Sequence, residues 1–238
     1  MDNAIYAALN RQSGLMQEMR TVANNIANIS TTGFRKEGVI FSEHVAALDG
    51  TDNSLSMAYA NGRLVDERQG PLSQTGGTFD FAIEGEGFFQ IETPQGNQLT
   101  RAGGFTPNEN GELVNMDGYR LLDSGGAPIF IPTDASPISV GEDGTISADG
   151  KPVAQIGVFE PTDPNGLEHQ AGTRFAAPGG VQPVESAKIM QGFVEESNVD
   201  AVSEITRMIE VQRAYELGQT FLDKEDERIR SAISTLTR

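Results

Sequence analysis

The sequence predicts an α+β fold: N- and C-terminal helices form a coiled-coil domain, and a central all-β domain of short antiparallel strands lies between them. Three observations carry this. All 11 prolines fall between Pro71 and Pro183, and of the 27 glycines only Gly14 and Gly218 lie in residues 1–30 or 200–238. Helix breakers are thus nearly excluded from both ends. Apolar residues recur at heptad-like spacing in those ends, and turn dipeptides crowd the middle.

In the first end, Ile5, Leu9, Gln12, Met16, Met19, Ala23 and Ile26 follow alternating steps of four and three. Ala8, Leu15, Val22 and Ile29 form a second stripe beside them. The spacing predicts a helix over about residues 3–29, about 40 Å long, with Gly33 as its stop signal. Its apolar face is wider than a two-stranded seam. Gln12, Asn24, Asn25 and Asn28 lie among the apolar positions. They are either solvated or buried amides that fix register between helices.

In the last end, Met208, Tyr215, Leu222, Ile229 and Leu236 are seven apart, with Val211, Gly218 and Ala232 interleaved. This predicts a helix over about 200–236, about 55 Å long. Ser197 and Asp200 have capping-box spacing, and Asn198 and Asp200 are both candidate N-caps. Lys224, Arg228, Arg230 and Arg238 suit the C-terminal end of the dipole.

The middle alternates in the manner of strands. Phe79, Phe81 and Ile83 are separated by Asp80 and Ala82, and Phe88, Phe89 and Ile91 follow. Asn110-Gly111, Asp117-Gly118, Asp143-Gly144 and Asp149-Gly150 are hairpin dipeptides, the last two bracketing a strand at 145–148. A sandwich or open barrel accommodates such strands. The chain therefore divides into an N-terminal helix (1–30), an extended linking region (31–70), a central β domain (71–190) and a C-terminal helix (191–238).

Charge and composition narrow the function. The net charge is −17, of which residues 1–30 contribute nothing and 200–238 only −2. The ends are suited to contact and the acidic middle to water. Such a chain is not expected to bind nucleic acid or an anionic membrane surface. No run approaches the roughly 20 apolar residues of a membrane span, so direct membrane insertion is not expected. There is no cysteine. The start, Met1-Asp2-Asn3-Ala4-Ile5, lacks the basic and apolar regions of a secretory signal peptide.

Catalytic patterns are weak. The two histidines, His44 and His169, have no neighbours at metal-ligand spacing, and there is no Gly-x-Ser-x-Gly elbow. Gly85-Glu86-Gly87 lacks the third glycine of a dinucleotide loop, since position 90 is Gln90, and reads as a tight turn. Glu142, Asp143 and Asp149 do not match EF-hand spacing. No catalytic, metal or cofactor residue is assigned, and no cofactor is expected.

What remains is assembly. A two-helix pair would leave part of the wide N-terminal face wet, which favours packing against other chains over a self-contained hairpin. The candidate assembly residues are Ile5, Leu9, Leu15, Met16, Met19, Val22, Asn24, Asn25, Ile26 and Asn28 in the first end. In the last they are Met208, Val211, Tyr215, Leu222, Ile229 and Leu236. The rival readings are a β-domain module on a helical stalk that binds calcium or a glycan, and an enzyme using a histidine.

Ala23-Asn24-Asn25-Ile26-Ala27-Asn28 followed by Thr32-Gly33-Phe34-Arg35 resembles the N-terminal signature of the bacterial flagellar rod and hook proteins. Ser197-Asn198-Val199-Asp200 and the run from Met208 to Glu216 resemble their C-terminal signature. The stretch from Phe81 to Phe89, with Thr100-Arg101 and Gly118-Tyr119, resembles their shared β segment. Within that family, Met1-Asp2 followed by Ile5-Tyr6 resembles the proximal rod subunits, with the distal subunit as the competing reading. The resemblance implies a structural subunit whose terminal helices line the axial tube and whose β domain faces outward. It further implies export by the flagellar type III apparatus without a cleaved signal peptide and a place in the rod crossing the periplasm. Torque would pass through it from motor to hook. Its neighbours would be copies of itself and the rod proteins FlgB, FlgC and FlgG.

Overall fold

The computed structural model describes residues 2–46, 55–132, 136–163, 166–184 and 186–236. The side chains of 2–4, 41–46, 55–61 and 63 lie outside that description, His44 among them. The chain forms two compact units. One comprises Met1–Ala27, Glu37–Leu64 and Asp200–Arg238, and the other Asn28–Lys36 and Val65–Val199.

The helical unit holds α1 (Asp2–Ala27), α2 (Ala201–Leu236) and a two-stranded ribbon of β1 (Glu37–Ala46) and β2 (Leu55–Val65). The region expected only to link thus contributes most of two long strands to this unit. β1 packs on α1. α1 ends six residues before Gly33, so Gly33 is not its stop. Gly33 has φ +72°, and a Cβ there would lie 2.1 Å from the Ala102 backbone nitrogen. It is a site of close backbone approach within the β unit. Asp200 is the N-cap of α2: its Oδ1 accepts from the Ser203 backbone N–H at 2.7 Å. Asn198, the other candidate, is used elsewhere. The last turn of α2 carries no basic residue. Arg228 and Arg230 instead pair along the helix with Glu225 and Asp226 at 2.7 and 2.9 Å, and Arg238 lies outside the described residues.

The β unit is built from antiparallel strands. Its nine-stranded sheet runs Glu168–His169, Arg174–Ala176, Gly96–Thr100, Phe88–Thr93, Arg120–Leu121, Leu113–Val114, Thr106–Pro107. Val158–Pro161 pairs with both Phe88–Thr93 and Val181–Pro183. A three-stranded sheet joins Ile138–Val140, Thr145–Ala148 and Lys151–Gln155. Two strand pairs join Phe81–Glu84 to Lys188–Gln191 and Leu72–Gln74 to Phe193–Glu195.

Phe88 and Phe89 explain why the 88–93 strand lacks simple alternation. Successive side chains point to opposite faces, and both faces are covered. Phe89 enters a core with Phe81, Ile91, Phe105, Leu113 and Leu121. Phe88 enters a second core with Leu99, Phe159, Leu167 and Phe175.

The hairpins follow their turn chemistry. Asp149 and Gly150 have φ of 53° and 73°, the pair of positive values a type I′ turn requires. Asn108, Asn115 and Asp123 share another device. Each side-chain oxygen accepts from the backbone N–H groups two and four residues on, at 2.8–3.1 Å. The residue three on is Gly111, Gly118 or Gly126, with φ of 81–83°. The polar side chain closes the turn and the glycine reverses it.

Candidate assembly interface

Within the helical unit, α1 and α2 pack along one another. Gln12 meets Tyr215, Glu18 meets Arg207 and Asn25 meets Glu204. The number on α2 falls as that on α1 rises, so the pair is antiparallel. The seam between them is more polar than the apolar spacing suggests. Val22 and Val211 are buried, but so are Gln12, Glu18, Thr21 and Asn25 of α1 and Glu204 of α2.

The amides do specific work. Asn25 donates to the Glu37 carbonyl at 2.8 Å and to Glu204 Oε2 at 2.9 Å, and accepts from the Glu37 N–H at 3.0 Å. One buried side chain therefore joins α1, α2 and β1. Gln12 donates to the Tyr215 carbonyl at 2.9 Å. It can lie across α2 because residue 218 is glycine: a Cβ there would stand 2.4 Å from Gln12 Nε2. Arg207 Nε reaches Glu18 at 2.7 Å, and that bond draws the Arg207 guanidinium further toward its charged form. Glu18 and Glu204 are not visible as contact residues in the sequence, where a charge on a helix reads as solvated.

The other candidate residues fall at graded depths. Ile5, Leu15, Met16, Met19, Asn24, Ile26, Met208, Tyr215 and Leu222 are half-buried, as is Asn28, which belongs to the β unit. Leu9, Ile229 and Leu236 are exposed, Leu236 to 86%. The antiparallel register explains the last two. α1 has 26 residues and α2 has 36, so α2 is longer by about 15 Å at about 1.5 Å per residue. Its final turns lie past the start of α1. More apolar surface is uncovered along α2: Val202, Ile205, Ile209, Leu217, Phe221 and Ile233 are exposed, Leu217 to 73%. Leu217 and Phe221, with Ala7, Ala8 and Leu15, line a groove of about 470 Å³ between the helices.

The β unit contains a second polar assembly. Glu195 is 1% exposed. Its Oε1 meets Arg35 Nη1 at 2.7 Å and the Gly70 N–H at 2.8 Å, and its Oε2 meets Arg101 Nη1 at 3.0 Å. Arg101 also donates to the Gly85 carbonyl at 2.7 Å and covers the Phe88 ring. Burial pulls both guanidiniums below the usual arginine value, Arg101 to about 10, while Glu195 pulls the other way. At about 10, Arg101 stays cationic at neutral pH.

Asn198 lies nearby in the chain. Its Oδ1 accepts from the Lys36 N–H at 2.6 Å, and its Nδ2 donates to the Asp66 and Arg68 carbonyls, each at 2.8 Å. The sequence hint for this assembly is faint: arginines at 35 and 101 in an otherwise acidic region.

Among the described residues no group of three or more His, Cys, Asp or Glu could hold a metal ion. Asp143 spends its carboxylate on its own turn, accepting from the Thr145 N–H and hydroxyl at 3.1 and 2.8 Å. His169 meets the Gly172 carbonyl at 2.8 Å, and its ring lies tilted against that of Phe175, with centroids 5.4 Å apart.

Three family models match the chain in order. Residues 5–35 match the flagella basal body rod protein, 82–148 the flagellar hook protein FlgE/F/G D1 domain, and 190–235 the flagellar basal body rod FlgEFG protein C-terminal. The flagellar basal-body rod protein FlgF of Caulobacter vibrioides is 41% identical, over 99% of this chain and 98% of its own length. FlgF of Mesorhizobium japonicum is 39% identical, over 99% and 98%. FlgG of Bacillus subtilis is 32% identical, over 98% and 99%.

Proposed function

The chain belongs to the flagellar basal-body rod protein family, and from that premise we propose that it assembles through its terminal helices into the axial shaft that carries torque from motor to hook. Its role is structural and not enzymatic. The observation that supports assembly through the helices is the apolar surface of α2, from Ile205 to Leu236, left uncovered by α1. Exposed apolar surface on this scale marks an interaction site.

We further propose a proximal position of the FlgF type rather than the distal position of FlgG. Met1-Asp2 with Ile5-Tyr6 favours it, and so do identities of 36–41% to three FlgF relatives against 30–34% to five FlgG relatives. On this reading the neighbours are FlgB, FlgC, FlgG and further copies. The subunit reaches the periplasm through the flagellar export apparatus, and no described helix is long and apolar enough to cross a membrane. The acidic β unit takes the outward, wetted place and the helical unit the contacts.

The test is the double variant L217D/F221S in cells lacking the native gene. Both side chains are exposed, so the purified protein should keep the melting temperature of the wild type. Basal bodies viewed by electron microscopy should stop short of a complete rod. Complete rods in normal number would overturn the helical assembly surface.

A further inference from the structure

The chain passes between its two units at four points: 27/28, 36/37, 64/65 and 199/200. All four border three short segments of the β unit, 28–36, 65–70 and 195–199. Two side chains each join all three. Asn198, from the third, holds the Lys36 N–H of the first and the Asp66 and Arg68 carbonyls of the second. Glu195, also from the third, holds Arg35 of the first and the Gly70 N–H of the second.

Backbone bonds repeat the pattern. The Gly33 N–H donates to the Glu195 carbonyl at 2.7 Å, the Asp66 N–H to the Lys36 carbonyl at 2.8 Å and the Glu196 N–H to the Pro71 carbonyl at 2.8 Å. Gly70 permits the closeness, since a Cβ there would lie 2.2 Å from the Glu196 carbonyl oxygen. Arg101 then ties Glu195 to the Phe81–Glu84 strand and the residue after it through the carbonyls of Ile83 and Gly85, at 3.3 and 2.7 Å.

A connection made of single strands would ordinarily be the soft part of a two-unit chain. Here the connecting segments are bonded to one another and to the sheet. We propose that Asn198 and Glu195 are positioning residues for force transfer. They fasten the three crossing segments into one cooperative strap at the edge of the β unit, so that load entering the β unit at any one of the four crossings is shared by all of them. The force role rests on the rod reading above; the strap itself does not.

The experiment uses the full-length chain and Asn198→Ala, followed by amide hydrogen exchange. The amides of Gly33, Lys36, Asp66, Gly70 and Glu196 should all exchange about tenfold faster or more, together, because a strap that opens as one unit loses the three Asn198 bonds from its closed state while its other bonds break only with it. Amides of the 88–93 and 96–100 strands should keep their protection, which separates a strap from a loss of global stability. Asn198→Asp retains the acceptor for the Lys36 N–H and removes both donors. It should loosen 66–70 while Lys36 stays protected.

In cells with matched numbers of flagella, N198A should swim like the wild type in dilute medium and slow more steeply as viscosity rises. Faster exchange at Lys36 alone would overturn the strap. An unchanged viscosity response would overturn its force role. Absence of the wild-type chain from isolated basal bodies would strike the rod reading, and with it the force role, while leaving the exchange result intact.

Discussion

Glu195 lies between two buried guanidiniums, so its charge matters more than that of an exposed ion pair. Removing one member of a buried ion pair costs about 3–5 kcal/mol, because its partner remains buried and uncompensated. Glu195→Gln should therefore lower the unfolding free energy read from a urea melt by about that amount, and the midpoint with it. The triple variant R35M/E195L/R101M should regain most of it, since apolar replacement of a buried triad is often neutral or stabilising. A midpoint unchanged in E195Q would mean that the guanidiniums find other anions. Asn25 can be judged the same way. Its three bonds join α1, α2 and β1, and each buried group left unpaired costs about 1–3 kcal/mol. Asn25→Ala should lower the melting temperature read from the helical circular dichroism signal. Among these residues the sequence picked out the amides, because an amide in an apolar row is conspicuous. It gave no hint that Glu18 and Glu204 are buried, because their partners are about 180 residues away in the chain.

At the scale of elements, Gly103 is the most constrained glycine among the described residues that needs no positive φ. A Cβ there would lie 1.7 Å from the Phe81 carbonyl oxygen. Gly103→Ala must push apart the backbones at 81 and 103, whose hydrogen bond measures 2.9 Å. Overpacking costs about 1–3 kcal/mol and more where backbone must move. The melt of the β unit should register at least that loss. Elements whose signal is local were legible from the sequence: both long helices, the 145–148 strand and the four Asn-Gly and Asp-Gly hairpins. Elements whose partners are distant were not. β1 and β2 look irregular in the sequence because their place depends on Asn25 and α1. Asn198 passes for a helix cap because nothing local shows that Lys36, Asp66 and Arg68 converge on it.

At the scale of the molecule, the extra length of α2 decides how the free subunit behaves. Isolated helical turns short of about 12–15 residues are marginal in water. The stretch from Arg228 to Leu236 therefore gains from a neighbour both burial and helical order. Circular dichroism at 222 nm should strengthen when subunits assemble, and a signal unchanged on assembly would show that these turns are equally ordered without a neighbour. The acidic middle adds repulsion between β units. Association should therefore be favoured by salt, which screens like charges.

Two antiparallel helices of equal length would have ends that look alike. With α2 the longer helix, the pair has a projecting end, where α2 runs past the start of α1, and an opposite end where the two helices finish nearly level, and no twofold axis can exchange them. Contacts that seat the projection of one copy on the level end of the next would use two different patches. Such heterologous contacts need not close into a ring and can build an open helical array. A stack of this kind has a head and a tail. Growth at its two ends would be chemically distinct, so such a stack would take its direction from the subunit itself.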